Sequence, residues 1–355
     1  MRRLKEFLAG RAEVPTKDEG GRQAFPLPEK PTLKTISQMS GLAVPTVSRA
    51  LNDAPDIGAD TKRLVRRIAD EIGYIPNRAG VRLRTGRTNV ISLVISTEHD
   101  NQTGRLISSV AGTLRGTPYH IIITPFFPGE DVMKPIRYIV ETGSADAIIF
   151  NQTEPQDPRV LYLMERHFPF ATHGRTDWAD SHAWFDFDNT AFGEIGVRRL
   201  ARRGRRHLAL LGPPAGQNYA QNTLDGTTHA AADLGLTLMR IPGATSDDTV
   251  GTVRATVAAF LQANPQVDGI ICSSTAGAMG AVGGIEAQGR HLGQDIDVFA
   301  KGSVEFLQTF RPAITAIDED VRAAGEFLAR AAMQAIRDPS RPPMQGLDVP
   351  QDAED

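Results

Sequence analysis

The chain has 355 residues, 41% of them apolar and 23% charged, with 39 lysines and arginines against 42 acids and a formal charge of −3. This length predicts two or three domains, and the single cysteine, Cys272, excludes a disulfide framework and a cysteine-rich zinc site. Because the sequence contains neither an apolar run of the ~18 residues that span a membrane nor a secretory signal, we expect a soluble cytoplasmic protein without membrane contact.

Positive charge is concentrated near the N-terminus. Residues 31–88 hold ten lysines and arginines but five acids, whereas residues 89–355 carry a net negative charge. This asymmetry predicts one small region that meets a polyanion such as DNA and a larger body that stays away from it. Chance clustering of surface charge is the alternative interpretation.

Residues 33–51 predict two short helices joined by a glycine-containing turn. Thr32 is placed to cap the first helix and Gly41 to end it, and Pro45 suits the first turn of the second. A third run with helical spacing, residues 64–72, would complete a three-helix core. The pattern is typical of a helix-turn-helix, whose second helix enters the major groove of DNA.

Three motifs in this region sharpen the prediction: TVSRALN at 46–52, GYIPNR at 73–78 and LRTGRT at 83–88. In the order and spacing of these motifs, the chain resembles the LacI/GalR family of transcriptional regulators, and the resemblance extends to about residue 350. It implies an all-α three-helix helix-turn-helix head, followed by an α/β body of the periplasmic-binding-protein type with two doubly wound parallel-sheet subdomains.

The resemblance also implies a division of the chain. The DNA-binding domain would cover residues 31–76, a hinge helix and linker residues 77–88, and an effector-binding and dimerisation domain residues 89–355. Residues 1–30 have no counterpart in the family. Their three prolines, paired glycines and mixed charge predict a disordered N-terminal extension.

Roles for individual DNA-binding residues follow from the resemblance. Val44 and Pro45 would open the recognition helix and make apolar contacts with base edges, and Arg49 would make a bidentate contact with guanine. Leu83 would enter the minor groove from the hinge helix. The remaining candidates, mostly for phosphate contacts, are Thr46, Ser48, Asn52, Thr61, Lys62, Asn77 and Arg78. A surface charge is the alternative for Arg49, and a linker residue packed on its own domain is the alternative for Leu83.

Two positions depart from the family pattern. Ala43 and Gly58 stand where the family usually has a serine that caps the second and third helices. An alanine in place of a capping serine costs about 1 kcal/mol, and a glycine costs less. We therefore expect a somewhat less stable DNA-binding domain.

From Asn89 onward, short apolar runs alternate with amphipathic stretches, which predicts parallel sheets covered by helices. Strands are predicted near 90–95, 120–125, 147–151, 170–173, 207–212, 269–272 and 297–299. Helices are predicted near 104–115, 131–141, 191–204, 218–234, 248–264, 276–288 and 321–336. The glycines at 277, 280 and 283 lack the spacing of a nucleotide-binding loop and indicate close helix packing instead.

Ligands of such sheets bind beyond the carboxyl ends of the strands. The polar candidates for a sugar-type effector there are Asn151, Arg175, Asn222 and Lys301, and the candidates for an aromatic face are Trp184 and Phe187. Ordinary loop or cap contacts are the alternative for each. Because two charged contacts usual in the family are absent, and Lys301 is added, both a phosphorylated or acidic sugar and a neutral oligosaccharide remain compatible with the sequence.

The sequence therefore predicts a transcriptional repressor that binds a palindromic operator DNA as a homodimer and is controlled by a sugar or glycoside. Exposed apolar helix faces near 104–115 are one candidate dimer surface. No cofactor, metal or enzymatic activity is expected, because neither metal-ligand spacing nor a nucleophile motif is present. A sugar-binding protein without DNA-binding regulation, and an enzyme acting on sugars, are the alternatives.

Overall fold

A computed structural model of the chain describes residues 30–75, 82, 86–96, 101–127, 129–302 and 304–352. The chain divides into two compact units, one ending at Gly86 and the other beginning at Arg87. Within the described ranges, no helix is long and apolar enough to cross a membrane.

The first unit contains three helices: α1 Leu33–Ser40, α2 Val44–Leu51 and α3 Ala59–Glu71. Each contributes a fully buried aliphatic residue to one core, namely Ile36, Val47 and Val65. In α2 and α3, further buried residues at helical spacing, Ala50 and Ile68, extend this core along the same side of each helix. The predicted three-helix head is confirmed.

The ends of these helices show the predicted caps and the predicted loss of caps. Thr32 accepts a hydrogen bond from the backbone N–H of Thr35 at 3.3 Å, and Gly41 ends α1 with a φ of 73°. Ala43 and Gly58 occupy the N-cap positions of α2 and α3, and neither residue has a side-chain oxygen that could accept a hydrogen bond there. The first N–H groups of α2 and α3 therefore lack the side-chain acceptor that a serine would give them.

The second unit alternates strands and helices throughout. The strands are β1 Val90–Ser96, β2 His120–Phe126, β3 Ala147–Phe150, β4 Phe170–His173, β5 Ala183–Phe187, β6 His207–Leu211, β7 Thr237–Arg240, β8 Gly269–Cys272, β9 Asp297–Lys301, β10 Thr315–Ile317 and β11 Gln345–Asp348. The helices are α4 Asn101–Thr113, α5 Met133–Thr142, α6 Pro158–Glu165, α7 Asn189–Arg202, α8 Asn218–Asp233, α9 Val250–Ala263, α10 Thr275–Ala287, α11 Val304–Phe310 and α12 Val321–Arg337.

These strands form two parallel sheets, each at the centre of one lobe. The sheet of the first lobe has the order β11-β5-β4-β3-β1-β2, and that of the second lobe has the order β10-β9-β8-β6-β7. The chain leaves the first lobe after β5 and returns after β10. After β11, Asp352 reaches back to Arg199 and Arg202 of α7. The predicted body of two doubly wound parallel sheets is confirmed.

Helices cover both faces of each sheet, as the alternation along β1 shows. Ile91 and Leu93 pack in the same cluster as residues of α4 and α12, whereas Val90 and Val94 pack with residues of α5 and α6. In the second lobe, α7 and α8 cover one face of the sheet, and α9, α10 and α11 cover the other. A strand buried on both faces carries consecutive apolar residues, and such runs made these strands predictable.

Helices α9 and α10 lie unusually close together, as the glycine pattern predicted. A Cβ atom added at Gly280 would lie 2.6 Å from Cβ of Val253 and 3.0 Å from the carbonyl oxygen of Val250. Only a glycine fits at this crossing without moving the neighbouring helix.

The predicted exposed apolar face near 104–115 is wrong. Leu106 and Val110 of α4 are buried against the sheet of the first lobe, and the exposed side of the helix carries Gly104, Arg105 and Ser108. The apolar residues of α4 are needed to cover β1, so they are not free for another subunit. Exposed aliphatic residues occur instead on the edge strand β2, at Ile122 and Ile123.

One carboxylate fixes the chain where it enters the second unit. Asp146 accepts hydrogen bonds from the backbone N–H groups of Thr88 and Asn89 and from the hydroxyl of Thr88, each at 2.8 Å. Its own backbone N–H donates to the carbonyl oxygen of Val90 at 2.7 Å. The segment that precedes β1 is therefore tied to the segment that precedes β3.

Candidate nucleic-acid interface and ligand cavity

Helix α2 separates a buried side from an exposed side. Val47 and Ala50 are fully buried, while Val44, Pro45 and Arg49 are exposed. An exposed valine and proline at the start of a helix, one turn before an arginine, can offer apolar contacts and a forked donor to the major groove.

Other candidate residues for DNA contact surround this surface. Thr46 and Ser48 are half-buried on α2, and the side chain of Asn52 donates to the carbonyl oxygen of Ser48 at 2.6 Å, closing the end of that helix. Thr61 and Lys62 lie in the first turn of α3, where Lys62 donates to the carbonyl oxygen of Asp53 at 3.2 Å. The structure thus brings eight of the predicted residues together on one unit. Asn77, Arg78 and Leu83 lie outside the described residues.

A cavity opens between the carboxyl ends of the two sheets, as expected for this fold. The space between its walls, including the open mouth, is about 1120 Å³. Four predicted effector-binding residues line it: Asn151, Arg175, Phe187 and Lys301. Asn222 and Trp184 are not among the described residues that line it.

The aromatic residues are arranged differently from the expectation. The indole N–H of Trp184 donates to the carbonyl oxygen of Ala179 at 2.9 Å, and its ring centre lies 5.6 Å from Cζ of Arg175. Phe187 is nearly fully buried, and the ammonium of Lys301 lies 5.2 Å from its ring centre. Tyr219, which the sequence interpretation did not select, is the half-buried aromatic residue of the lining.

The cation that the sequence singled out is not free. Lys301 Nζ lies 3.3 Å from Glu319 Oε2 and donates to Asn189 Oδ1 at 3.0 Å. Glu319 in turn contacts His173 Nε2 at 3.1 Å. Burial opposes ionisation of Glu319, but Lys301 and His173 lower the pKa of its carboxyl from the ordinary 4.5 to about 2. Glu319 is therefore a carboxylate at neutral pH.

A second ion pair lies on the first-lobe side of the cavity. Arg175 Nε donates to Asp186 Oδ2 at 2.7 Å, and the side chain of Asp186 is almost completely buried. Burial raises the pKa of Asp186, while the hydrogen bond from Arg175 opposes that rise. Arg175 keeps 29% of its side chain exposed, so it is still accessible from the cavity.

The two lobes are hydrogen-bonded to each other at the cavity. The backbone N–H of Asn218, the first residue of α8, donates to the carbonyl oxygen of Thr153 at 2.8 Å. Its side-chain amide donates to the carbonyl oxygen of Arg175 at 3.1 Å. Asn218 belongs to the second lobe and both acceptors belong to the first, so this residue links the lobes directly.

Two polar atoms in the lining have no hydrogen-bond partner among the residues that the structure describes. They are Oδ1 of Asn151 and Oγ of Ser273, one from each lobe. Buried polar atoms without partners are costly, and a ligand that donates hydrogen bonds to both would satisfy them. In the described part of the chain, no cluster of histidine, cysteine or acidic side chains could hold a metal ion.

Sequence reasoning missed the three acidic residues of the cavity, Asp186, Asp247 and Glu319. Asp186 lies within β5 and Glu319 just after β10, and neither strand was among the predicted ones. A signal was available for Asp186, because the sequence AWFDF at 183–187 places one acid inside an otherwise apolar run.

Two family models match the chain. The model for bacterial regulatory proteins of the lacI family matches residues 32–77, and the model for the periplasmic binding protein-like domain matches residues 197–352. The first covers the three helices of the first unit, and the second covers the second lobe together with α12 and β11.

Known proteins of similar length align with most of the chain. The HTH-type transcriptional regulator AglR of Rhizobium meliloti (strain 1021) is 30% identical over 89% of this chain and 90% of its own length. The lac repressor dimer bound to operator and the anti-inducer ONPF has a TM-score of 0.79 at 18% identity, covering 91% of this chain and 97% of that chain. The complex of the transcriptional regulator CelR with cellobiose has a TM-score of 0.67 at 20% identity, covering 91% and 98%.

Proposed function

Because the chain belongs to the lacI family of bacterial regulatory proteins, we propose that it is a cytoplasmic transcriptional repressor that binds a palindromic operator as a homodimer and responds to a sugar-type effector. The family consists of transcriptional regulators, so no catalytic role is proposed. The observation that carries the proposal is the joining of an exposed recognition surface on α2 to a body with a polar cavity between two lobes.

DNA recognition is assigned to the exposed side of α2. Arg49 would contact guanine, and Val44 and Pro45 would contact thymine methyl groups. Thr46, Ser48, Asn52, Thr61 and Lys62 would contact phosphates, which set the register without reading sequence. The hinge roles of Asn77, Arg78 and Leu83 remain part of the proposal, although these residues lie outside the described ones.

Effector binding is assigned to the cavity. Asn151, Arg175 and Ser273 would bond ligand hydroxyl groups, and Tyr219 replaces Trp184 and Phe187 as the proposed aromatic contact. The similarity to the CelR–cellobiose complex supports a saccharide. Ligand binding would change the relation of the two lobes and thereby the affinity for operator, since a ligand shifts an equilibrium only through its different affinities for the two states.

Dimerisation is assigned to the β2 edge of the first lobe. Ile122 and Ile123 are about 45% and 44% exposed on this edge strand, and Phe127 just beyond it is 54% exposed. Exposed aliphatic residues on an open sheet edge favour pairing with another chain. A second copy would cover both this edge and these side chains in an isologous contact.

The DNA-binding proposal is tested with the full chain and duplexes from upstream of its own gene, by fluorescence anisotropy at several salt concentrations. We expect one duplex to be retained specifically and the affinity to fall steeply with salt. Arg49→Ala should cost about 1–3 kcal/mol on that duplex, whereas Arg322→Ala, a surface arginine of the body, should not. Equal binding by wild type and Arg49→Ala would contradict the assignment.

The same purified protein distinguishes the alternative of a sugar-binding protein without regulation. Such a protein would be stabilised by a sugar but would retain no duplex specifically. Thermal stability against a saccharide panel gives the second measurement, because a ligand at a hundred times its dissociation constant adds about 2.7 kcal/mol. Asn151→Ala should remove this stabilisation, and Asn264→Ala, at the end of α9, should leave it intact.

A further inference from the structure

The charged groups of the cavity are balanced toward the negative side. Among the described residues that line it are one arginine, Arg175, one lysine, Lys301, and three acidic residues, Asp186, Asp247 and Glu319. Each cation is paired with one of the carboxylates. The third, Asp247, accepts a hydrogen bond from the hydroxyl of Tyr219 at 3.2 Å and has no cationic partner among the described residues.

The donors of Lys301 are directed to protein groups. Its ammonium contacts Glu319 and Asn189 and lies 5.2 and 5.3 Å from the ring centres of Phe187 and Tyr219. An ammonium has three N–H donors, and these partners surround it from both lobes. A lysine held in this way has little left to offer to a ligand anion.

The unsatisfied atoms of the cavity require a different ligand chemistry. Oδ1 of Asn151 is an acceptor only, and Oγ of Ser273 can accept or donate. A ligand hydroxyl supplies the donor that Asn151 needs, whereas the dianionic phosphoryl group of a phosphate monoester supplies acceptors alone. An anion would also meet three acidic side chains, while Arg175 and Lys301 are each already paired with one of them. Such like-charge contacts are strongly unfavourable.

We propose that Glu319 is a specificity-determining residue, which neutralises Lys301 and thereby restricts the effector to uncharged polyhydroxy compounds, excluding sugar phosphates and sugar acids. The proposal rests on the proposed effector function of this cavity and narrows the ligand class within it. It resolves the choice between acidic and neutral sugars in favour of the neutral ones. In this proposal, Lys301 does not contact the ligand directly but shapes the cavity through its ion pair with Glu319.

The experiment measures affinities of the full-length protein by isothermal titration calorimetry at constant ionic strength. The ligands are neutral di- and trisaccharides, the phosphate monoester of each saccharide that binds, and inorganic phosphate alone. The variants are Glu319→Gln, the double variant Lys301→Gln/Glu319→Gln, and Glu286→Gln. Glu286 is the matched control because it forms a surface ion pair with Arg311 at 3.3 Å and does not line the cavity.

In the wild type, the phosphate ester should bind at least ~10-fold more weakly than its parent saccharide. Glu319→Gln should increase the affinity for inorganic phosphate at least ~10-fold, because it leaves an uncompensated ammonium in the cavity. The double variant should lose this gain, and Glu286→Gln should show none. A wild type that binds the ester as tightly as the parent saccharide would overturn the proposal, and this comparison needs no variant to fold.

The outcomes separate this inference from the broader function. If no saccharide of either kind binds, the sugar effector is refuted, but the inorganic phosphate measurements on Glu319→Gln and its control still decide the role of Glu319. If saccharides bind and Glu319→Gln gains no affinity for phosphate over Glu286→Gln, the effector function stands and the role of Glu319 is refuted.

Discussion

Arg49 forms an ion pair with Asp56 on the surface of the first unit, so the proposed base-reading side chain is held by a carboxylate when no DNA is present. In the proposed DNA contact, Arg49 would leave Asp56 for a base, and Asp56 would lie near a polyanion. Asp56→Ala should therefore tighten binding to the preferred duplex about 3- to 10-fold, in line with exposed ion pairs of up to about 1 kcal/mol plus the removed repulsion. Anisotropy titrations measure this, and Asp70→Ala on α3 is the control for charge alone. Weaker binding by Asp56→Ala would show that Asp56 holds Arg49 in its binding orientation.

The ion pair of Lys301 and Glu319 predicts how stability responds to acid. The pKa of Glu319 is lowered from 4.5 to about 2 in the folded protein, so its contribution is present above pH 4.5 and is lost as the pH falls toward 2. Glu319→Gln should cost about 3–5 kcal/mol at pH 7, because it leaves Lys301 buried without its partner. The variant should also lose less stability than wild type between pH 4.5 and 3. Urea denaturation at each pH measures both effects. If the free energy of unfolding of wild type and of Glu319→Gln fell equally between pH 4.5 and 3, the lowered pKa of Glu319 would be contradicted.

Asn218 predicts a coupling between lobe contact and ligand affinity. Asn218→Ala removes the side-chain hydrogen bond to Arg175 across the cavity, which is worth about 1 kcal/mol. We expect the affinity for the effector to fall about fivefold, measured by calorimetry. Asn264→Ala removes a comparable side-chain bond to the carbonyl oxygen of Phe260, away from the cavity, and should not change it. Equal losses in both variants would indicate a general effect on folding.

The close packing of α9 and α10 predicts that a glycine-to-alanine substitution changes stability in opposite directions at the crossing and away from it. Gly280→Ala should destabilise the second lobe by about 1–3 kcal/mol, because its Cβ would overlap Val253. Gly251→Ala, in the first turn of α9, meets only Thr249 at 3.9 Å and should be neutral or stabilise by up to ~1 kcal/mol. Chemical denaturation compares the two, and a neutral Gly280→Ala would mean that the helices separate at little cost.

The missing N-cap of α2 predicts that a capping residue at position 43 would increase stability. Ala43→Ser should stabilise the first unit by about 1 kcal/mol, because the hydroxyl can accept from a free N–H in the first turn of that helix. Hydrogen exchange of peptides covering residues 44–51 in the full chain should slow accordingly. Ala43→Val, which adds volume without an acceptor, should give no such protection. A similar gain from valine would point to packing and not to capping.

The sequence predicted several buried strands well, because a strand buried on both faces carries an apolar run. β4 and β8 are such strands, and their sequences FATH and GIIC coincide with the predicted bounds. The missed strands include β10, with three residues, and β11 with the sequence QGLD, which has one aliphatic residue. In such strands, pairing with a neighbouring strand decides the conformation, and the local sequence does not show which strand that is.

The candidate cavity was predictable in position but not in charge. Asn151, Arg175 and Lys301 were chosen because they follow strands, and all three line the cavity. Glu319 lies 18 residues after Lys301 and comes near it because β10 pairs with β9, which places Ile317 opposite Lys301. Trp184 failed as a lining residue because it lies near the start of β5, whereas the cavity is lined by Asp186 and Phe187 at the carboxyl end of that strand.

Asp146 fixes the segment that begins the second unit. Three hydrogen bonds hold Thr88 and Asn89 to Asp146, and Arg87 contacts the backbone at the end of α12. A displacement of the first sheet would therefore carry residues 87–89 with it.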